Sequence, residues 1–494
     1  MVVGTIKLWI DTHITPFAWQ RITLKLLPHF QKAGLYLHQI KDDISLGKHM
    51  VELINATLED LYQSSLPAET LNSFDMKNLR GEFHKDRHSY TAIGEPLIFH
   101  CHHYNTYLQA VIEDTHEYLN VYPVLIRSAQ EIVYSQFHVF FQDNPMAADL
   151  RKQTVQDFFR FCGFGMMDLS VATLSGGKVI VNSDHYAAGW KSKFGERSKD
   201  KHGVSFFTLG FIKGALEAIY DLPNGYFEGK QTQCIAQGAS TSEFVIVKDE
   251  QNSLYQPSPA EGAFQSYQHT NHVDSKVDYL GIREALINMP LEGHEKTGLI
   301  DAFGVLLTRM YANYYCLISY RFLRLFEEKM GLHGTATACD LLTEAGHVCA
   351  FNTFGGIMQS AEWNGLIKPS LQSKEDWVHG IIAVVNALGW GFWELVELVP
   401  NEKLVVKIVS GYEANAYTKN FGKSSYPISF LATGGTAGIM NLIYNTQLTE
   451  KQITLDDAQY KQIYSSNNLF TSTQIQCRAM GDAFDVFEVN TSKP

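Results

Sequence analysis

The feature that most constrains this chain is a signature it carries twice, QTQCIAQGASTSEF at Gln231–Phe244 and QIQCRAMGDAFDVF at Gln474–Phe487. Gln231/Gln474, Cys234/Cys477, Gly238/Gly481 and Phe244/Phe487 coincide at one register. Between Val204–Asp221 and Ile428–Asn445, six more identities fall without a gap: Ser205/Ser429, Phe206/Phe430, Gly210/Gly434, Gly214/Gly438, Ile219/Ile443 and Tyr220/Tyr444. Further back, Gly163-Phe164-Gly165 with Asp168 parallels Gly389-Trp390-Gly391 with Glu394. Self-similarity over about a hundred residues marks a duplicated domain, so the fold has to be one that can be written twice.

Periodicity sorts both copies into similar elements. In the first, helices from about Tyr104 to before Pro123, over Val124–Phe141 and over Arg151–Cys162 lead into a hairpin, MMDLSVATL and KVIVNSDHYAAGW around SGG. A helix with spaced glycines and the strands Tyr226–Cys234 and Glu243–Val247 follow. The second copy reads as helices Leu299–Lys329, Cys339–Ser360 and Lys374–Leu388, a hairpin Gly391–Tyr412, the glycine helix Ile428–Tyr444 and strands within Leu469–Val489. The expected organisation is a helical N-terminal segment (1–90), repeat 1 (91–248), a polar linker (249–289) and repeat 2 (290–494). Its fold class is α+β, two tandem repeats that are each an antiparallel sheet packed with helices.

Composition narrows the partners. A net charge of −12, a pI near 5.9 and no basic stripe argue against nucleic acid. Seven cysteines form an odd set without CxxC, which fits a reducing, cytoplasmic setting. The N-terminus lacks the pattern of a signal peptide. Pro427–Tyr444 carries no charge, but its counterpart contains Lys213, Glu217 and Asp221, so both read as core helices and no transmembrane segment is expected.

A glycine-spaced helix, then a strand ending in an acidic or amide residue, Cys three on, Gly four further and a last ligand position four beyond resembles the 4-vinyl reductase or hydrocarbon-binding domain family. The likeness covers roughly residues 91–248 and 290–490. It implies a fold similar to that of a trafficking-complex subunit and an enclosed apolar pocket for a small aromatic molecule; some members are linked to tetrapyrrole metabolism. The family's zinc pattern is Cys on the glycine helix, then Glu, Cys and Cys. Here these fall on no cysteine in either glycine helix, on Gln231/Gln474, on Cys234/Cys477 and on Ser242/Asp485, so zinc at that position is not expected.

Chemistry concentrates in Phe99-His100-Cys101-His102-His103-Tyr104-Asn105. Imidazole is both a metal ligand and a proton carrier, and the second copy lacks histidine here. His100, His102 and His103, with His185 from across the sheet, could ligate iron or haem, or supply polar contacts to an organic ligand. The cluster could equally face water. Tyr104 and Asp168 are candidates for proton transfer, and Phe206, Phe207 and Tyr226 for lining the pocket. ExxH strings at Glu113/His116 and Glu344/His347 suggest a di-iron site, although about two strings of an acidic residue three before a histidine arise by chance. His84 and His88 are spaced to share a helix face. The readings are therefore binding of a small apolar or aromatic molecule in an enclosed pocket of repeat 1, with repeat 2 as scaffold; a metal- or haem-dependent enzyme using the His100-His102-His103 cluster; or a non-catalytic dimerisation platform acting as a homodimer.

Overall fold

The computed structural model describes residues 79–249 and 275–491. The chain divides into two compact units, residues 1–74 with 141–151 and residues 75–140 with 152–494. The second unit holds both copies of the signature. The helices expected over residues 1–78 lie outside the described residues.

Two tight turns begin the two halves. Ile93-Gly94 (φ 48° and 74°) joins β2 (Ser89–Ala92) to β3 (Glu95–Cys101), and Phe303-Gly304 (φ 55° and 69°) joins β8 (Ile300–Ala302) to β9 (Val305–Tyr311). Two consecutive left-handed residues match the strand twist of a two-residue hairpin. AIGEPLIFHC and AFGVLLTRMY thus align without a gap, which makes Met310 the counterpart of His100 and Arg309 the counterpart of Phe99. With β1 (Glu82–His84) these strands form one sheet in the order β1-β2-β3-β9-β8. Its central pair, β3 with β9, is antiparallel and runs from Leu97↔Tyr311 to Cys101↔Leu307, with Phe99↔Arg309 at the middle.

From β3 the chain enters α1 (His102–Glu113), α2 (Tyr122–Asp143) and α3 (Ala148–Phe161). Helices α4 (His185–Phe194), α5 (Phe206–Ile219) and α6 (Tyr279–Ile287) come next in the chain, ahead of β8, and from β9 the chain enters directly the long α7 (Ala312–Cys349), interrupted at Gly331. A π-helical turn (Ala350–Phe354), α8 (Gly355–Gln359), α9 (Ala361–Leu366) and α10 (Lys374–Val385) follow α7. Each half then builds a four-stranded antiparallel sheet. The first comprises β4 (Gly165–Asp168), β5 (Gly176–Asp184), β6 (Phe227–Gln233) and β7 (Ser242–Lys248), ordered β4-β5-β7-β6. The second comprises β10 (Phe392–Val399), β11 (Lys403–Val409), β12 (Phe470–Gln476) and β13 (Asp485–Thr491), ordered β10-β11-β13-β12. Helices α11 (Tyr412–Phe421), α12 (Phe430–Tyr444) and α13 (Asp457–Tyr464) complete the second half. The two sheets share strand order, a register shift at Gln231/Gln233 and at Gln474/Gln476, and a left-handed glycine after the following turn, Gly238 and Gly481. The architecture is α+β.

Three local expectations are corrected. NSDHYAAGW is not a strand throughout: β5 stops at Asp184, whose carboxylate accepts from the Ala187 amide and starts α4 at His185. Leu299–Lys329 is not one helix, because Phe303-Gly304 turns a hairpin ahead of α7. His84 and His88 share no helix: His84 lies on β1, and His88 lies in the turn to β2 and bonds the Asn386 carbonyl at 2.9 Å. The stretch read as linker also contains α6.

The spaced glycines serve close helix packing. A Cβ at Gly210 would lie 2.1 Å from the Ile126 carbonyl oxygen, and one at Gly434 would lie 2.0 Å from that of Thr343. Around Gly435, in the same helix, nothing lies within 4 Å of a Cβ. Gly210→Ala and Gly434→Ala are therefore predicted to destabilise the protein by about 1–3 kcal/mol in urea denaturation, and Gly435→Ala to hold or gain stability through helix propensity. Equal losses at Gly434 and Gly435 would contradict the packing account.

Candidate functional site

Alternation gives the central sheet two chemically different faces. On one, Phe83↔Tyr90 and Phe99↔Arg309 are facing pairs; on the other, Ile98 pairs with Met310 and His100 with Thr308.

The first face carries a cavity of about 40 Å³. Phe83, Tyr90, Phe99 and Arg309 of the sheet and Phe303 of the β8–β9 turn line it, and Leu286, Ile287, Met289, Leu291, Ala387 and Leu388 enclose it. The last six come from α6, the segment after it and the residues just after α10, so this site is assembled from both halves. Arg309 is 8% exposed. Its guanidinium sits over the rings of Phe161 (4.4 Å), Phe99 (4.6 Å) and Tyr90 (5.3 Å). Nη1 donates to the carbonyls of Leu291 and Phe161, and Nε has no acceptor. Burial lowers the Arg309 pKa and raises that of Tyr90 to about 12. Arginine nonetheless stays cationic in proteins.

The second face carries the histidines. His100, 1% exposed, stacks between Tyr104 (4.5 Å) and Trp390 (4.4 Å), with the edge of Tyr315 at 4.8 Å and Tyr412 at 6.4 Å. Neither of its nitrogens has a hydrogen-bond partner. Tyr315 donates to Asn105 Oδ1, and Asn105 Nδ2 donates to His185 Nε2 (2.9 Å) and Thr308 Oγ1 (3.1 Å). His102 and His103 lie ring to ring at 3.9 Å. His100, His102, His103, Tyr104 and His185 are thus brought to one side of the sheet. Burial holds His100 well below the usual imidazole range, His102 at about 4, His103 at about 2 and His185 at about 3. All four are neutral at pH 7.

At His102 and His185 the arrangement fits a metal or haem iron poorly. The Leu306 amide donates to His102 Nδ1, so the neutral ring carries its proton on Nε2; the Asn105 amide likewise places the His185 proton on Nδ1. The lone pairs of both rings are already used, and the nitrogens left over, His102 Nε2 and His185 Nδ1, are donors without acceptors. Among the described residues no group of three or more His, Cys, Asp and Glu is placed to hold a metal ion. The cavity lined by Trp390 and Tyr412 is only about 10 Å³, far below what a porphyrin needs.

Other sequence candidates fall elsewhere. Asp168 is exposed at the end of β4 and accepts from the Ser170 amide. Phe207 packs among Phe164, Tyr186 and Tyr314, Phe206 lies against Tyr122, and Tyr226 faces Phe227 and Lys248. None of these three lines either cavity. Glu113 pairs with Arg197; Glu344 and His347 both bond Tyr460, and His347 also bonds Asn441. Neither ExxH pair therefore presents a free ligand set. Gln231 and Gln474 accept from the Ser205 and Ser429 amides at the starts of the glycine helices. Ser242 and Asp485 occupy the same place in the two copies of the signature and have different roles. Ser242 Oγ accepts from the Ile235 amide, and Asp485 accepts from the equivalent Arg478 amide, with Gly411 standing where the first half has Asp184. Near the signature cysteine of each half stands a buried aspartate, Asp184 by Cys234 and Asp485 by Cys477, on exchanged strands. Burial raises both, Asp485 to about 6. Arg309 escaped sequence reasoning; its only signal was a lone cation inside the apolar run VLLTRMY.

A buried histidine kept neutral makes stability depend on pH. Below pH 6.5 the unfolded chain binds a proton at His185 that the folded chain refuses until about pH 3, so this contribution is lost as pH falls through that window. Burial of Glu217 and Glu413, both raised to about 8, acts in the opposite sense, so a difference measurement is needed. Relative to His185→Gln, the wild type is predicted to lose stability by up to about 1.4 kcal/mol per pH unit between pH 6 and 4. A pH-independent difference in urea denaturation would contradict the burial of a neutral ring.

No family model and no curated protein matches this chain, so the family resemblance rests on the repeated signature alone.

Proposed function

We propose that the protein binds a small, largely apolar or aromatic molecule, and that the site is the cavity at Phe99 and Arg309. The observation that carries this reading is the lining: aromatic and aliphatic side chains converging on one buried polar group, the usual composition of a ligand pocket. The reading moves the site away from Phe206, Phe207 and Tyr226. At about 40 Å³ the cavity takes the end group of a small ligand, the body of which enters only as the α6 wall parts, and it does not suit a tetrapyrrole. The histidine face serves on this reading as a buried polar network between the halves. The two halves are taken as copies of one hydrocarbon-binding-type domain, with the ligand held where the copies meet. Among the described residues no helix is long and apolar enough to cross a membrane, and the seven cysteines are free, which suits a reducing compartment.

A ligand that binds only the folded state stabilises it by about 2.7 kcal/mol at a hundredfold excess over Kd. In thermal denaturation with benzyl alcohol, benzoate, benzamide, hexanoate and hexanamide, at least one is predicted to raise the wild-type Tm. Ala387 is 7% exposed and lines the cavity, so Ala387→Phe should fill it and abolish the shift. A shift that survives the filling, or no shift with any compound, would remove the reading.

A further inference from the structure

We infer that the ligand carries a carboxylate, which Arg309 receives inside the cavity; this inference rests on the site just proposed. A guanidinium removed from water needs compensation for several kcal/mol of lost hydration. Among the described residues Arg309 has no ion pair; the nearby acid Glu292 is paired with Arg80 at 3.0 Å. Three aromatic faces, two backbone carbonyls and the Tyr90 hydroxyl oxygen compensate it in part, and the buried Nε–H is left without an acceptor.

The fork geometry supplies the specificity. Arg309 presents a planar set of donors beside Phe99 and Tyr90, and the Tyr90 hydroxyl spends its proton on the Arg80 carbonyl. Tyr90 therefore offers the cavity no further donor hydrogen. A carboxylate oxygen is the acceptor that Nε–H lacks, and its charge is the counterion that the guanidinium lacks. The apolar walls from α6 and the residues just after α10 would then take the hydrocarbon body. A neutral ligand would leave the cation unpaired, and a cationic one would meet it with repulsion.

The test compares isosteres on the whole protein by calorimetry and thermal shift: benzoate against benzamide, and hexanoate against hexanamide. The expected result is that the acids bind about tenfold or more tightly than the amides, and that Arg309→Gln removes this preference. Acids and amides binding alike would overturn the carboxylate inference and leave the ligand site standing. Tighter binding of the amides would do the same. No binding by either kind would remove both. Because Arg309→Gln removes a buried group and can disturb folding, the acid-to-amide ratio in the wild type decides alone.

Discussion

The antiparallel pairing of β3 with β9 is the constraint on which the rest of the structure depends. Among the described residues it is the one set of strand pairs that joins a strand of the first half to a strand of the second, and it is centred on Phe99 facing Arg309. These two residues occupy equivalent places in their halves. The pairing therefore runs about a local twofold, and the two flanking sheets follow from it with the same strand order. Cross-strand neighbours on one face interact directly, so a position where the halves meet is also where a sequence difference between them has most effect. Arginine on one side and phenylalanine on the other turn a symmetric seam into an asymmetric site.

From that pairing the two faces acquire different chemistry. One face places the Arg309 guanidinium over three rings beside a cavity. The other packs His100 between Tyr104 of its own half and Trp390 of the other, and threads Tyr315, Asn105, Thr308 and His185 into a chain of hydrogen bonds. Ring nitrogens left without partners there each cost on the order of 1–3 kcal/mol. Such expense in a core is tolerated where it specifies one arrangement, and this network links residues more than 200 positions apart.

How far this was legible in the sequence differs by element. The repeated Gln, Cys, Gly and Phe positions report local backbone needs: a bonded amide at a helix start, a buried thiol, a left-handed turn and a core ring. They therefore placed β6, β7, β12 and β13 and the glycine helices α5 and α12. The β2–β3 and β8–β9 hairpins were missed because an apolar run entering a helix satisfies strand and helix spacing alike, and only Ile93-Gly94 and Phe303-Gly304 break the ambiguity. His100, His102, His103, Tyr104 and His185 stood out by residue type, and they do gather on one side of the sheet. The lone-pair assignments of His102 and His185, which count against a metal at those two rings, depend on Leu306 and Asn105, whose positions no local pattern gives. Arg309 was hidden for the same reason: its surroundings come from four separate stretches of chain.

The most direct measurement is native-state hydrogen exchange across the three sheets. If the β3–β9 pair holds the halves as one cooperative structure, the amides of Ile98–Cys101 and Leu307–Met310 exchange only through global unfolding, with the same free energy as the most protected amides of β5, β7, β11 and β13. Exchange of the central pair at distinctly lower free energy, while both flanking sheets stay protected, would show the halves to be independent domains. It would contradict the account of a site built where they join.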